Sequence, residues 1–427
     1  MAKAWAAGLA AIFATLCFAC SQFKVTSTMV YIMDGFGVSL ATAGLLMTFS
    51  SVTVMIVSLP GGAILQKLGS RRTLLAVVAL GLLFNVFGAL SSSFEVLAVS
   101  RLLEGVCLGM ITIVTSAVIA QSFPAEKRGL PMALFSLWVP AGMLLILNIS
   151  NYVTPLYGWQ SNWWVVAAML AVALVVCSLL VKGEPKTQEQ PVSVSPDQLA
   201  SAEEGQSVFA VSDQLVPAEE EQSSKGGGVW LRGMKSMGPW CLGIAFFSYS
   251  VGLGAYNTYF PTYLTQAFGM EASTANDIMS ISMFVMMIVG LVWGAIMNKV
   301  PNRFHGAMLV GSMVVYLIAM VAQFNLPSLS LAVPVVVFVG LASQLVAPLI
   351  YDVLPETVDV ELVPVGMSIT AFGCGLGTIL TTVICGVFVE TFGTWSSLVL
   401  PLGVFGALGV AASFVGARIQ RKRLSSK

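Results

Sequence analysis

Gly61-Gly62-Ala63-Ile64-Leu65-Gln66-Lys67-Leu68-Gly69-Ser70-Arg71-Arg72 separates two apolar runs, Ala41 to Leu65 before it and Thr73 to Ser92 after it. Neither run carries a charge, yet Lys67, Arg71 and Arg72 crowd the short glycine-bearing turn between them. Runs of about 20 apolar residues are what a helix needs to cross a bilayer core of roughly 30 Å. The turn therefore reads as a loop joining two membrane helices. Its cations mark the side of the membrane on which it lies, because Lys and Arg accumulate in cytoplasmic loops.

Composition extends this reading to the whole chain. Hydrophobic residues make up 57% and charged residues 9% of the 427 positions, against about half and a quarter in soluble domains. Such a chain has too little polar surface to cover itself in water. The formal net charge of +0 gives no footprint for nucleic acid. All seven cysteines, at 17, 20, 107, 177, 241, 374 and 385, lie in apolar segments. That favours small packing residues over a disulfide framework. Residues preceding Cys17 and Cys20 fit a lipidation site poorly, and the N-terminus reads as a retained first helix, not a cleaved signal.

Counting apolar blocks of spanning length predicts twelve helices. In the first half they cover residues 5–32, 41–65, 73–92, 95–120, 130–153 and 162–182. In the second half they cover 238–264, 275–298, 304–323, 330–352, 364–389 and 395–416. With both termini inside, of the 20 Lys and Arg residues only Lys24 and Arg101 fall outside cytoplasmic segments, and none falls in an outer loop. The fold class is thus an all-α integral membrane protein of twelve transmembrane helices in two pseudo-symmetric six-helix halves, multi-pass in the cell membrane. The halves are expected over residues 1–183 and 236–417, with a basic tail over 418–427. Residues 184–235, rich in Glu, Ser, Gln, Pro and Gly, bury too little apolar surface to order themselves and read as a flexible cytoplasmic linker. Val208-Phe209-Ala210-Val211 within it is a sticky disordered stretch or a short docking segment.

An offset of 232 carries Gly62 to Gly294, Gln66 to Asn298, Gly69 to Pro301 and Arg71 to Arg303, a worn internal repeat at the corresponding turn. Gly62-x-x-x-Gln66-x-x-Gly69-x-Arg71-Arg72 resembles the loop between helices 2 and 3 of the major facilitator superfamily, with Gln66 where that family usually has Asp. Pro124-Ala-Glu126-Lys-Arg128-Gly129 and Pro355-Glu356 resemble its later cytoplasmic turns. The resemblance covers the chain apart from the linker and tail. It implies alternating access about a midplane site between two halves, with a small-molecule substrate and protons as partners, the lipid bilayer as surroundings and a monomer as the working unit. It is nearest to the anion–cation symporter and cyanate-porter-like branches. By the same resemblance Gly62, Gln66, Gly69, Arg71 and Arg72 belong to a cytoplasmic gate. Opposite it the second half offers Asp352, Glu356, Asp359 and Glu361, so Arg71 or Arg72 is expected to bridge to these acids when the inner gate is closed.

Charges within spans are costly and mark function. Lys24 lies about 19 residues into the first span, roughly 28 Å at 1.5 Å per residue. Either it is buried in the outer half of a long helix, or the helix ends near Phe23 and Lys24 snorkels to the surface. Arg101-Leu-Leu-Glu104-Gly105 resembles the family's Arg-x-x-Gln-Gly in helix 4, whose Arg is implicated in substrate or proton coupling. Glu in place of Gln adds a carboxyl that can carry a proton; the alternative is a self-neutralising pair three residues apart on one face. Two buried cations against one acid favour an anionic substrate, with Lys24 and Arg101 attracting it. Gly105, Gly109, Thr112 and Ser116 keep the same face small.

In the seventh span Tyr256 and Asn257, within Asn257-Thr-Tyr-Phe-Pro-Thr-Tyr-Leu, are candidate substrate contacts, while Tyr259 and Tyr263 read as an interfacial belt. Gln344 is a further candidate, ahead of Asn148, because amides in a water-free medium need partners. Met279, Met283, Met286 and Met287 form a stripe that reads as core. Gly373, Gly375 and Gly377 make a smooth eleventh helix, and His305 reads as a surface residue. No nucleotide-binding loop, metal cluster or catalytic constellation stands out, so no cofactor or metal is expected and an intramembrane enzyme is disfavoured. Export of a neutral or hydrophobic compound, or a transporter-like membrane sensor, are the alternatives to proton-coupled symport of a small organic anion.

Overall fold

The computed structural model describes residues 2–124, 127–181, 232–297 and 299–425. Residues 232–235, the end of the expected linker, are helical; the rest of it, Val208–Val211 included, lies outside the described residues, as do Glu126 and Asn298. Helices account for nearly all of what is described, and there is no strand among the described residues. In the first half they are α1 (Ala2–Phe36), α2 (Leu40–Leu68), α3 (Ser70–Ala89), α4 (Phe94–Ser122), α5 (Gly129–Ser136), α6 (Trp138–Tyr157) and α7 (Gln160–Leu180). In the second half they are α8 (Met237–Phe268), α9 (Ala272–Met297), α10 (His305–Ala322), α11 (Ala332–Gln344), α12 (Ala347–Thr357), α13 (Val363–Phe392) and α14 (Val399–Leu424).

Two of the predicted spans are broken helices. The fifth divides at Leu137 into α5 and α6, and the tenth divides after Gln344 into α11 and α12. A proline ring clashes with the carbonyl four residues before it. Pro140 and Pro348 stand four residues after Ser136 and Gln344, the last residues of α5 and α11. Among the described residues, 11 helical segments are long and apolar enough to cross a membrane. Outside that set lies α8, long enough at 32 residues but diluted by the Tyr, Asn, Thr and Ser residues that make it a site candidate.

Within the first unit, formed by residues up to Phe36 and from Phe49 through α7, α1 packs on α4, α6 and α7, and α3 on α4 and α7. Small residues set the close approaches. A Cβ on Gly105 would fall 2.4 Å from the Ser50 carbonyl oxygen, so α4 and α2 meet backbone to backbone there. The opening motif ends on Gly69, whose φ of 77° lies where only glycine is unstrained, and this turns the chain directly from α2 into α3. In the second unit, which takes in Gly37–Thr48 and everything from α8 onward, α8 packs on α13 and α14, and α10 on α14. Gly373 and Gly377 press against the carbonyls of Gly243 and Phe247, so the glycine-rich face of α13 is a packed seam. Met279, Met283 and Met286 are buried in the core of this unit. All seven cysteines are buried and unpaired.

Candidate functional site

Four helices of the first unit bring polar side chains to one point in its interior. Helix α1 contributes Ser21 and Lys24, α3 Asn85, α4 Arg101 and Glu104, and α7 Trp163. Lys24, Arg101 and Glu104 are 0%, 1% and 3% exposed. Lys24 does not snorkel: α1 continues to Phe36, a further twelve residues, and keeps its ammonium inside. The Glu104 carboxylate is saturated with donors. Its Oε2 accepts from Arg101 NH1 at 2.5 Å, Lys24 Nζ at 2.8 Å and Ser21 Oγ at 2.9 Å. Its Oε1 accepts the indole N–H of Trp163 at 3.1 Å.

Each cation has further partners. Lys24 also donates to Asn85 Oδ1 and to Ser21 Oγ, and its Nζ stands 4.3 Å from the Trp163 ring centre. Arg101 reaches the carbonyl of Ser21 at 2.9 Å, that of Gln22 at 3.4 Å, and Ser50 Oγ of α2 at 3.1 Å. Asn85 is oriented by its own amide, which donates to the Gly81 carbonyl at 2.8 Å. Two cations and one carboxylate give the cluster one net positive charge. Taking ions out of water costs several kcal/mol each unless geometry and hydrogen bonds compensate, and here every charged atom has partners. Protonating Glu104 would leave two buried cations without a counter-ion; an incoming anion would relieve that. Such a cluster can couple a proton to an anion.

Of the residues brought together here, sequence reasoning singled out Lys24, Arg101 and Glu104 but not Asn85, Trp163 or Ser21. Asn85 carried a usable signal as the one amide in the third span. Trp163, at the start of a span beside Trp164, looks like an interfacial aromatic, and nothing local in the sequence marks it as a partner of Glu104.

Of the remaining candidates, Tyr256, Asn257 and Gln344 belong to the second unit and Asn148 to the first. In α8, Tyr256 is fully buried and Asn257 nearly so. Among the described residues, the Tyr256 and Ser282 hydroxyls and Asn257 Oδ1 make no hydrogen bond of standard geometry. Tyr259 and Tyr263 are not an interfacial belt. Both are buried, Tyr259 donating to the Thr382 carbonyl at 2.7 Å and Tyr263 Oη accepting from the Leu326 amide at 3.0 Å. Gln344 ends α11 at the break, beside Gly290 of α9. Asn148 is exposed and donates to the Leu144 carbonyl.

Of the gate residues, Gly62 and Gln66 lie in the last turns of α2, and the Gln66 side chain is outside the described residues. Arg71 donates to the Ser178 carbonyl at 3.1 Å, while Arg72 is exposed. Asp352, Glu356, Asp359 and Glu361 each have a partner in their own unit. Asp352 lies 2.7 Å from His305 Nδ1, Glu356 accepts from Gln420, Asp359 from Arg423, and Glu361 from Arg232 at 3.1 Å. His305 is therefore buried and engaged, contrary to the surface position expected of it: its other ring nitrogen is 3.0 Å from the Val300 carbonyl.

A twelve-span helical chain with a two-half repeat and buried charges in its first half defines a membrane transporter class. The sequence profile of the Major Facilitator Superfamily matches residues 11–382 and 242–427, and the chain belongs to that family. YwtG of Bacillus subtilis (strain 168), named for metabolite transport, is 21% identical over 411 residues, spanning 91% of this chain and 85% of its own. GudP of Escherichia coli (strain K12), named as a galactarate/D-glucarate transporter, is 23% identical over 84% of this chain and 77% of its own. A rice protein (Oryza sativa subsp. japonica) named as an anion transporter is 26% identical over 63% of this chain and 60% of its own. In fold, the chain is similar to a bacterial homologue of the human lysosomal transporter Spinster, solved inward-facing and unoccupied. The TM-score is 0.74 at 15% identity, covering 99% of this chain and 98% of that one.

Proposed function

We propose that this protein is a secondary transporter, not an enzyme, that moves a small organic anion together with a proton by alternating access. The observation that carries the reading is the buried cluster in which Lys24 and Arg101 share the one carboxylate of Glu104. Proton and anion would assist each other's binding, because each relieves the charge imbalance the other creates, and such coupling is reciprocal. Glu104 is the proton carrier, Lys24 and Arg101 attract the anion, and Tyr256, Asn257 and Gln344 contact the substrate from the second half. On this reading the protein works as a monomer in the cell membrane with both termini cytoplasmic, an orientation that the placement of its cations supports. Residues 1–183 and 236–417 form its moving halves, 184–235 the linker and 418–427 the tail. Arg71 and Arg72 serve as inner-gate cations for the Asp352 and Glu356 carboxylates in one state of the cycle. Exposed pairs of this kind are worth about 0–1 kcal/mol each, enough to bias the cycle.

The test is uptake into proteoliposomes with D-glucarate as first probe, chosen from the name of the GudP relative, followed by a panel of mono- and dicarboxylates. Uptake is expected to rise as the outer pH falls. Lys24→Gln and Arg101→Gln are expected to abolish it in folded protein. Glu104→Gln is expected to retain exchange but lose its pH dependence. Undiminished anion uptake by both cation variants would reject the reading.

A further inference from the structure

The mechanism proposed above uses three charged groups, but the structure also puts two uncharged donors, Ser21 and Trp163, on the reacting carboxylate. We infer that Trp163 is a positioning residue that controls proton loading of Glu104, by occupying the one oxygen the cations leave unclaimed.

Lys24, Arg101 and Ser21 all converge on Oε2. Among the described residues, Oε1 has one donor, the Trp163 indole N–H. A proton arriving on Oε2 must displace a cation, whereas a proton arriving on Oε1 needs only the indole N–H to withdraw. An indole nitrogen always donates and never accepts, so this contact opposes a proton on Oε1 and favours the ionised carboxylate over the neutral one. The same indole presents its ring face to Lys24 Nζ, so one side chain steadies both members of the ion pair through different atoms. It is fully buried and held edge-on by Trp159 with ring centres 5.2 Å apart.

Its seat is built by α3. A Cβ at Gly88 would lie 2.5 Å from Trp163 Nε1 and 2.6 Å from Cδ1, so glycine there is what lets the indole nitrogen reach the carboxylate. Trp163→Phe separates the two functions: it keeps a ring of similar bulk under Lys24 and deletes the N–H. Gly88→Ala displaces the indole nitrogen without changing Trp163.

This inference rests on the proton-coupled reading, and the experiment separates their failures. The full-length purified protein in lipid nanodiscs is titrated with acid while the infrared C=O band of the protonated carboxyl is followed. The band belonging to Glu104 is identified by its loss in Glu104→Gln. A hydrogen bond to a charged group is worth about 1.5–3 kcal/mol, which corresponds to a midpoint shift of about one to two pH units. Trp163→Phe is expected to load its proton that much nearer neutrality than the unmodified protein, and Gly88→Ala to move in the same direction. An unchanged midpoint in Trp163→Phe overturns the inference. So does the absence of a Glu104-dependent band in both proteins, or a Trp163→Phe chain that does not fold, because the indole N–H would then be a structural requirement. If the band shifts but uptake is independent of pH in the unmodified protein, proton coupling fails while the positioning role of Trp163 stands.

Discussion

Glu104 accepts from four side chains, three of them on two other helices and the fourth Arg101, three residues back on its own, and that concentration makes it the most consequential single residue in the first unit. Removing one partner of a buried charge pair costs roughly 3–5 kcal/mol, because the survivor is left uncompensated. Glu104→Ala leaves two such survivors and is expected to lower the unfolding temperature markedly in detergent. The double variant Lys24→Met/Glu104→Gln, which leaves only Arg101 charged, is expected to recover much of that loss. Thermal unfolding followed by tryptophan fluorescence checks both, and equal destabilisation by the single and double variants would show that the ion pair is not energetically coupled. Asn85 belongs at this scale too: Asn85→Leu removes an acceptor of the Lys24 ammonium while keeping bulk, and is expected to impair uptake more than folding.

Among the helices, what was legible in the sequence follows from how local each cause is. Spans, turns and the Arg101–Glu104 spacing are written in contiguous residues, and the helices stand where hydropathy put them. The breaks in the fifth and tenth spans were also locally encoded, by Pro140 and Pro348, but continuous apolarity hid them. Partners contributed by distant helices were not legible: Trp163 to Glu104, or Gln420 and Arg423 to the acids around Glu356, lie 59 and more residues apart. Tyr259 and Tyr263 were misassigned because a tyrosine near a span end has the same sequence appearance whether its hydroxyl meets water or a buried carbonyl. Close backbone approach gives a paired prediction. Gly105→Ala places a Cβ against the Ser50 carbonyl, which no rotamer change relieves, and is expected to destabilise by about 1–3 kcal/mol. Gly294→Ala meets nothing within 4 Å and is expected to stabilise α9 by about 0.5–1 kcal/mol. Unfolding temperatures of the two variants, measured side by side, decide the matter.

For the whole molecule, the acids of α12 and of the segment joining it to α13 are tied to His305, Gln420, Arg423 and Arg232. Glu356→Lys breaks the Gln420 contact and, on the proposed function, reverses the charge offered to Arg71 and Arg72. It is expected to increase thiol labelling of cysteines introduced on the cytoplasmic side, and unchanged labelling would count against a gating role. The surplus positive charge of the Lys24–Arg101–Glu104 cluster has an electrical consequence. Moving one elementary charge through the full membrane voltage is worth roughly 2.3 kcal/mol per 100 mV. On the proposed function, a carrier loaded with one proton and a doubly charged anion has an electrically neutral cluster, whereas the empty carrier keeps its surplus. Voltage then acts on the unladen return stroke alone. Dicarboxylate exchange, which skips that stroke, would proceed alike at any potential, while net uptake would respond to it.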